Sequence, residues 1–116
     1  MSKLKGREVL IVEDETLIAM ELVQGFRKAG AFTTTTNTLK QASILVEHDS
    51  LAVAILDHAL GDGDSTRLCE RLTARGIPFV IYSGFNKVEG ACKGGPLVTK
   101  PATADVVVAT AEGLLP

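Results

Sequence analysis

Repeatedly in this chain a continuous apolar run stops at a residue that can do chemistry. Val9, Leu10, Ile11 and Val12 stop at Glu13 and Asp14, Leu51–Leu56 stops at Asp57, and Phe79, Val80, Ile81 and Tyr82 stop at Ser83. A weaker run, Leu97–Thr99, stops at Lys100. Short β-branched and aliphatic runs without polar alternation suit strands covered on both faces. A sheet buried on both faces needs helices on each side, and parallel crossovers supply them.

Helical periodicity fills the intervals. Ile18, Leu22, Gly25, Phe26 and Ala29 recur at three to four residues and stop at Gly30, a helix terminator. Phe32–Thr36 is short and β-prone, and Asn37 is placed to cap a helix carrying Leu39, Ala42, Leu45 and Val46 on one side. Gly61-Asp62-Gly63-Asp64-Ser65 reads as a loop before a helix with Leu68, Cys69 and Leu72, ended by Gly76. Thr103 is placed to cap a last helix over 104–115, where Val106, Val107 and Val108 cannot all face one sheet. The span from Ser83 to Lys100 is short and rich in glycine, so the helix expected there is shortened or disordered. These elements predict an α/β fold, a doubly wound five-stranded parallel sheet between two helical layers. The domain is expected over residues 7–115, with 1–6 as an N-terminal tail and Lys3, Lys5 and Arg7 solvated.

Composition narrows the function. At 116 residues there is room for one domain and no output module, and 46% hydrophobic residues can fill its core. A formal net charge of −2 lacks the basic footprint of a nucleic-acid binder. The longest apolar run, Leu51–Leu56, falls far short of the roughly 20 residues that span a bilayer. Cys69 and Cys92 have no C-x-x-C spacing, and no apolar signal core follows the N-terminal basic residues. Reduced thiols and a cytoplasmic protein are the expectation.

In a doubly wound sheet, chemistry collects beyond the carboxyl ends of the strands. Glu13, Asp14 and Asp57 converging there would repel one another unless a cation sat among them, and hard oxygen ligands favour Mg2+, with Mn2+ as a substitute. Lys100 can pair with a dianion opposite the metal, and the Ser83 hydroxyl can donate to one of its oxygens. A carboxylate can itself be the nucleophile, forming an acyl phosphate. No G-x-G-x-x-G follows the first strand, which argues against a dinucleotide site. An aspartyl-phosphate phosphatase usually needs a second acid two residues after its nucleophile, where this chain has Ala59.

These residues, in this order, resemble the receiver domain of two-component response regulators: Glu13-Asp14 as the acidic pair, Asp57 as the phosphoacceptor, Ser83-Gly84 as the hydroxyl and its small neighbour, Lys100-Pro101 as the lysine and its proline. The resemblance implies a flavodoxin-like, receiver-type sandwich. It implies that Asp57 takes a phosphoryl group from a histidine kinase or histidine phosphotransfer protein. Mg2+ would be held by Asp14, Asp57 and the backbone carbonyl of Ala59, with Glu13 acting mostly through water. Lys100 and Ser83 would contact the phosphate, and the Lys100-Pro101 bond would be cis. The chain would act as a single-domain regulator that catalyses only its own phosphorylation and dephosphorylation, altering the binding of a downstream protein. A homodimer is compatible with that, and a pseudo-receiver that serves as a binding module without turning over phosphate is the alternative.

Departures from the family pattern also matter. Leu97 stands where many receivers carry an aromatic three residues before the lysine, which excludes an aromatic rotamer switch there. Gly61 replaces a frequent proline. Ile81-Tyr82-Ser83-Gly84-Phe85 partly matches the Phe-Ala-Thr-Gly-x-Tyr pattern of a stand-alone receiver subgroup. His58 is read as a loop histidine, Asp62 and Asp64 as loop and helix-cap residues, and Cys69 as core filling. Phe85, Leu97 and the valine cluster are candidates for a partner or dimer face.

Overall fold

The structure, a computed structural model, describes residues 2–84 and 88–116. The chain runs β1 (Glu8–Val12), α1 (Thr16–Lys28), β2 (Phe32–Thr36), α2 (Leu39–Leu45), β3 (Leu51–Leu56), a small hairpin of β4 (Ala59–Leu60) and β5 (Gly63–Asp64), α3 (Thr66–Ala74) and β6 (Phe79–Ser83). A 3-10 turn (Gly90–Gly94), β7 (Leu97–Thr99) and α4 (Ala104–Gly113) complete it. The main sheet has the order β2-β1-β3-β6-β7, and every pairing in it is parallel. This is the doubly wound, flavodoxin-like sheet that the apolar runs predict. The 3-10 turn stands where the shortened helix is expected.

The apolar runs are continuous because alternate residues feed two separate cores. Leu10, Val12, Ala54, Leu56 and Ile81 pack with Ala42, Val46, Leu68 and Leu72 on one side. Val9, Ile11, Val53, Ile55, Val80 and Tyr82 pack with Leu22, Phe26, Val107 and Ala111 on the other. On that second side Gly25 brings α1 close to α4: a Cβ there would lie 3.1 Å from the Ala104 Cβ and 3.2 Å from Val108. Gly95 does the same for the turn, since a Cβ there would collide with the Phe79 carbonyl and ring. Gly30 and Gly76 end α1 and α3 at φ of 90° and 68°, the left-handed conformation that favours glycine. The valine triplet divides as its helical fan requires, with Val107 buried and Val106 47% exposed.

Three expectations are corrected. Cys69 and Cys92 are not thiols in this structure but a disulfide, joining α3 to the 3-10 turn with Cα atoms 5.0 Å apart. Their separation of 23 residues carried no pairing signal, and packing of the turn on α3 brings them together. Leu4, inside the stretch read as a tail, is wholly buried in the α1/α4 core, and the Ser2 hydroxyl donates to Glu112 at 2.6 Å. The segment packs because its one leucine finds the gap beside α4. Finally, Thr38 rather than Asn37 caps α2, its hydroxyl accepting from the Gln41 amide at 3.2 Å.

Candidate functional site

Sheet topology positions the site. The chain leaves β1 toward β2 on one side and β3 toward β6 on the other, so β1 and β3 are neighbours at the point where winding direction reverses. A crevice opens beyond their carboxyl ends, and Glu13, Asp14 and Asp57 stand there. The backbone ladder continues past the strands to hold two of them: the Glu13 amide donates to the Thr36 carbonyl at 3.0 Å and the Asp57 amide to the Val12 carbonyl at 2.9 Å. Lys100 arrives from the next strand pair, its amide donating to the Ser83 carbonyl at 2.8 Å. The Lys100-Pro101 bond is cis, as the resemblance implies.

The side chains converge. Lys100 Nζ lies 2.8 Å from Glu13 Oε1 and 3.2 Å from Asp57 Oδ2, bridging two buried carboxylates. Asp14 is exposed on the rim. Glu13, Asp14 and Asp57 each offer a carboxylate oxygen within 4.8 Å of the others. One ammonium against three carboxylates leaves an excess of negative charge, and hard, closely spaced oxygens are the donor set a small divalent cation takes. The residues present therefore fit Mg2+.

Electrostatics report the same strain. Burial raises the Glu13 carboxyl to about 7, against the opposing pull of Lys100 and the Glu15 amide, and the nearby Asp57 charge raises it further. Burial pulls the Lys100 ammonium down, but Glu13 and Asp57 outweigh it and leave the pKa raised. Without a cation the cluster sheds charge by protonating Glu13 near neutrality.

The loop after Asp57 is more ordered than a run of glycine and aspartate suggests. The β4–β5 hairpin pairs Ala59 with Asp64 and Leu60 with Gly63. The buried Ser65 hydroxyl donates to the Asp57 carbonyl, and the Ser65 amide donates to the His58 carbonyl at 3.0 Å. Asp62 accepts from the Leu39 and Lys40 amides, so the hairpin tip is fastened to the start of α2, and these bonds hold its carboxyl below the usual range. Asp64 accepts from the Thr66 amide at 3.0 Å, at the start of α3. Asp64 thus serves the start of its own helix as the sequence suggests, whereas Asp62 reaches back to a distant one. Ala59 is brought beside the site, its amide 3.4 Å from Asp57 Oδ1. His58 Nδ1 is buried and makes no hydrogen bond among the described residues.

Ser83 is fully buried at the end of β6, next to β7 across the Ser83–Thr99 register. Tyr82, to which sequence reasoning gave no role at the site, lies beneath the lysine: Nζ is 5.5 Å from its ring centroid. The Tyr82 hydroxyl donates to the Ala102 carbonyl at 2.8 Å and accepts from the Ala102 amide at 3.2 Å. It thereby pins the backbone that follows the cis proline. The only signal was an aromatic with a polar tip ending an apolar run. Leu97 is half-buried on β7, while Phe85 lies outside the described residues. An open groove of about 550 Å³ adjoins the cluster, lined by Glu13, Asp14, Thr16, Met20, Gln24 and Asn37 among others.

The response regulator receiver domain model matches residues 9–112. No curated protein matches the chain. The solved structures similar to it include SdrG from Sphingomonas melonis Fr1, at 37% identity and a TM-score of 0.80, with 98% of this chain and 100% of that one covered. The receiver domain of the response regulator PhyR from Erythrobacter litoralis is 25% identical, with a TM-score of 0.77 and coverage of 96% and 93%. A two-component response regulator from Clostridium difficile shares the fold at 18% identity and a TM-score of 0.81, covering 92% and 93%. With the family model spanning nearly the whole chain and the strand-end acids, serine and lysine in place, this chain belongs to the response regulator receiver domain family.

Proposed function

We propose that this chain is a phosphorylation-controlled response regulator whose acceptor is Asp57, and that a histidine kinase or histidine phosphotransfer protein is the donor. The observation that carries this is the Lys100 ammonium bridging Glu13 and Asp57 beside an acidic cluster suited to a divalent ion. The regulatory unit includes residues before 7, since Leu4 is buried in its core, and its proposed setting is the cytoplasm. None of the helices described is long and apolar enough to cross a membrane.

Asp14, Asp57 and the Ala59 carbonyl, with Glu13 beside them, would hold Mg2+. When bound, the ion supplies positive charge that draws acceptor and phosphoryl oxygens together. The chain's own residues do the rest. An Asp57 carboxylate oxygen attacks phosphorus; the bond from phosphorus to the donor's imidazole nitrogen breaks, and its electron pair leaves with that imidazole. Lys100 already touches Asp57 and shifts its ion pair to the transferred group. The Ser83 hydroxyl donates to a phosphoryl oxygen. The added negative charge redistributes the partners of Ser83 and Lys100, and a downstream protein distinguishes the two arrangements.

Incubation with acetyl phosphate and Mg2+ tests the assignment. Wild-type protein should gain one acid-stable, base-labile phosphoryl group and Asp57→Asn none. Equal labelling of both would remove Asp57 from the role, and no labelling of either would favour a binding module that does not turn over phosphate.

A further inference from the structure

Cys69 and Cys92 take no part in the site above, yet they tie together the two segments that lead away from it. Cys69 lies on α3, which starts directly after the hairpin that follows Asp57 and begins at Ala59. Cys92 lies in the 3-10 turn, on the stretch that returns through Gly95 and β7 to Lys100. The turn is short and glycine-flanked, with the poorer hydrogen-bond geometry of 3-10 structure; its Gly95 amide reaches the Cys92 carbonyl at 3.3 Å. Around Cys92 the exposed residues Glu89, Gly90 and Lys93 face water. Val88, Ala91 and Cys92 pack the turn into the core, and the covalent bond to α3 adds a further restraint on where it can go.

Both cysteines are fully buried, so an external thiol reaches the disulfide only when the turn lifts from α3. Any rearrangement of the Lys100 side of the site that displaces the turn therefore opens the disulfide, and an intact disulfide opposes that rearrangement. In the cytoplasmic setting proposed above, disulfides are mostly transient and redox-sensing, so the bond is read as reversible.

We propose that Cys69 and Cys92 form a reversible dithiol–disulfide site coupled to phosphorylation. The disulfide holds the turn on α3 and disfavours the phosphorylated arrangement, and reduction releases it. Reduction transfers two electrons from a thiol reductant: two R–SH reduce Cys69–S–S–Cys92 to two Cys–SH and become R–S–S–R, with the protons passing from reductant to cysteines. The inference rests on Asp57 as the phosphoacceptor. Because coupling free energy is reciprocal, phosphorylation must favour the dithiol by the factor by which reduction favours phosphorylation.

The test uses the wild-type chain equilibrated in mixtures of reduced and oxidised glutathione, with and without beryllofluoride and Mg2+ as a stable phosphoryl mimic. Acid quenching, then alkylation in denaturant and intact-mass analysis, reads the dithiol fraction set under native conditions. The expected result is a disulfide that forms reversibly, with an exchange constant displaced about fivefold or more toward the dithiol by beryllofluoride, and no displacement in Asp57→Asn. Two thiols that stay alkylatable in excess oxidised glutathione would overturn the site itself. A disulfide that forms, with the same exchange constant in protein shown by acetyl phosphate labelling to accept phosphate at Asp57, would overturn the coupling. Absence of that labelling would overturn the acceptor reading beneath it, leaving a redox site with nothing to couple to.

Discussion

The two faces of the sheet are built differently. On one, α1 and α4 lie against each other across Gly25, and Phe26, Leu22, Val107 and Ala111 fill the space between them and the strands. On the other, α2 and α3 are short and the last element is only a 3-10 turn, held by a disulfide and by burial of Val88 and Cys92. The first face is held by packing spread over many side chains, and nothing local can shift it without opening a cavity. The second buries a core just as extensive, with Leu10, Leu56, Leu68, Leu72, Phe79 and Ile81 in it, but closes it with a 3-10 turn in place of a full helix. The latter face carries the stretch leading back to Lys100, so the region expected to respond to chemistry is the one closed by a short turn and a cross-link rather than by a full helix.

That contrast can be broken from either side. Phe26→Ala removes the largest fully buried side chain and should cost about 4 kcal/mol in a denaturant-unfolding experiment. A loss under 1 kcal/mol would mean that the α1/α4 face is not close-packed. Reducing the disulfide should cost about 3 kcal/mol, the loop-closure entropy of a cross-link spanning 23 residues, measured as unfolding midpoints with and without reductant. Local hydrogen exchange should then rise in residues 88–96 and stay unchanged in α1 and α4. Thr38→Ala, which removes the α2 cap, should cost about 1 kcal/mol and leave the α1/α4 face untouched.

A pH dependence sharpens the comparison at the site itself. Burial raises the Glu13 carboxyl, so in metal-free protein its contribution to stability is complete below its ordinary pKa of 4.5 and is lost as pH rises through about 7. Mg2+ competes with that proton, so its affinity should strengthen as pH rises through about 7, and Glu13→Gln should flatten the dependence. The single tyrosine, Tyr82, with Lys100 above its ring, offers the fluorescence readout.

Much of this was legible in the sequence because parallel strands covered on both faces write themselves as unbroken apolar runs, and such a run can end only where the sheet ends. The strand-end positions of Glu13, Asp14, Asp57, Ser83 and Lys100 follow from that, and the structure brings the acids and the lysine together. What stayed hidden depends on tertiary proximity between segments without a shared local pattern. Asp62 capping α2, Cys69 meeting Cys92 and Leu4 entering the core each join positions far apart in the chain. The β4–β5 hairpin reads as loop in the sequence because its strands are only two residues each. Tyr82 was hidden for another reason: its ring reads as core, and only the fold shows its hydroxyl reaching Ala102.

Phosphoryl transfer to Asp57 in a metal-assembled site is the central proposal. Peptide mapping of the acetyl phosphate-treated chain, with Mg2+ and again with the cation chelated, tests it most directly. A single phosphoryl group on the peptide containing Asp57, formed with Mg2+ and lost without it, is the predicted result. Label on another residue, or labelling of Asp57 that proceeds equally well without a divalent cation, would contradict it.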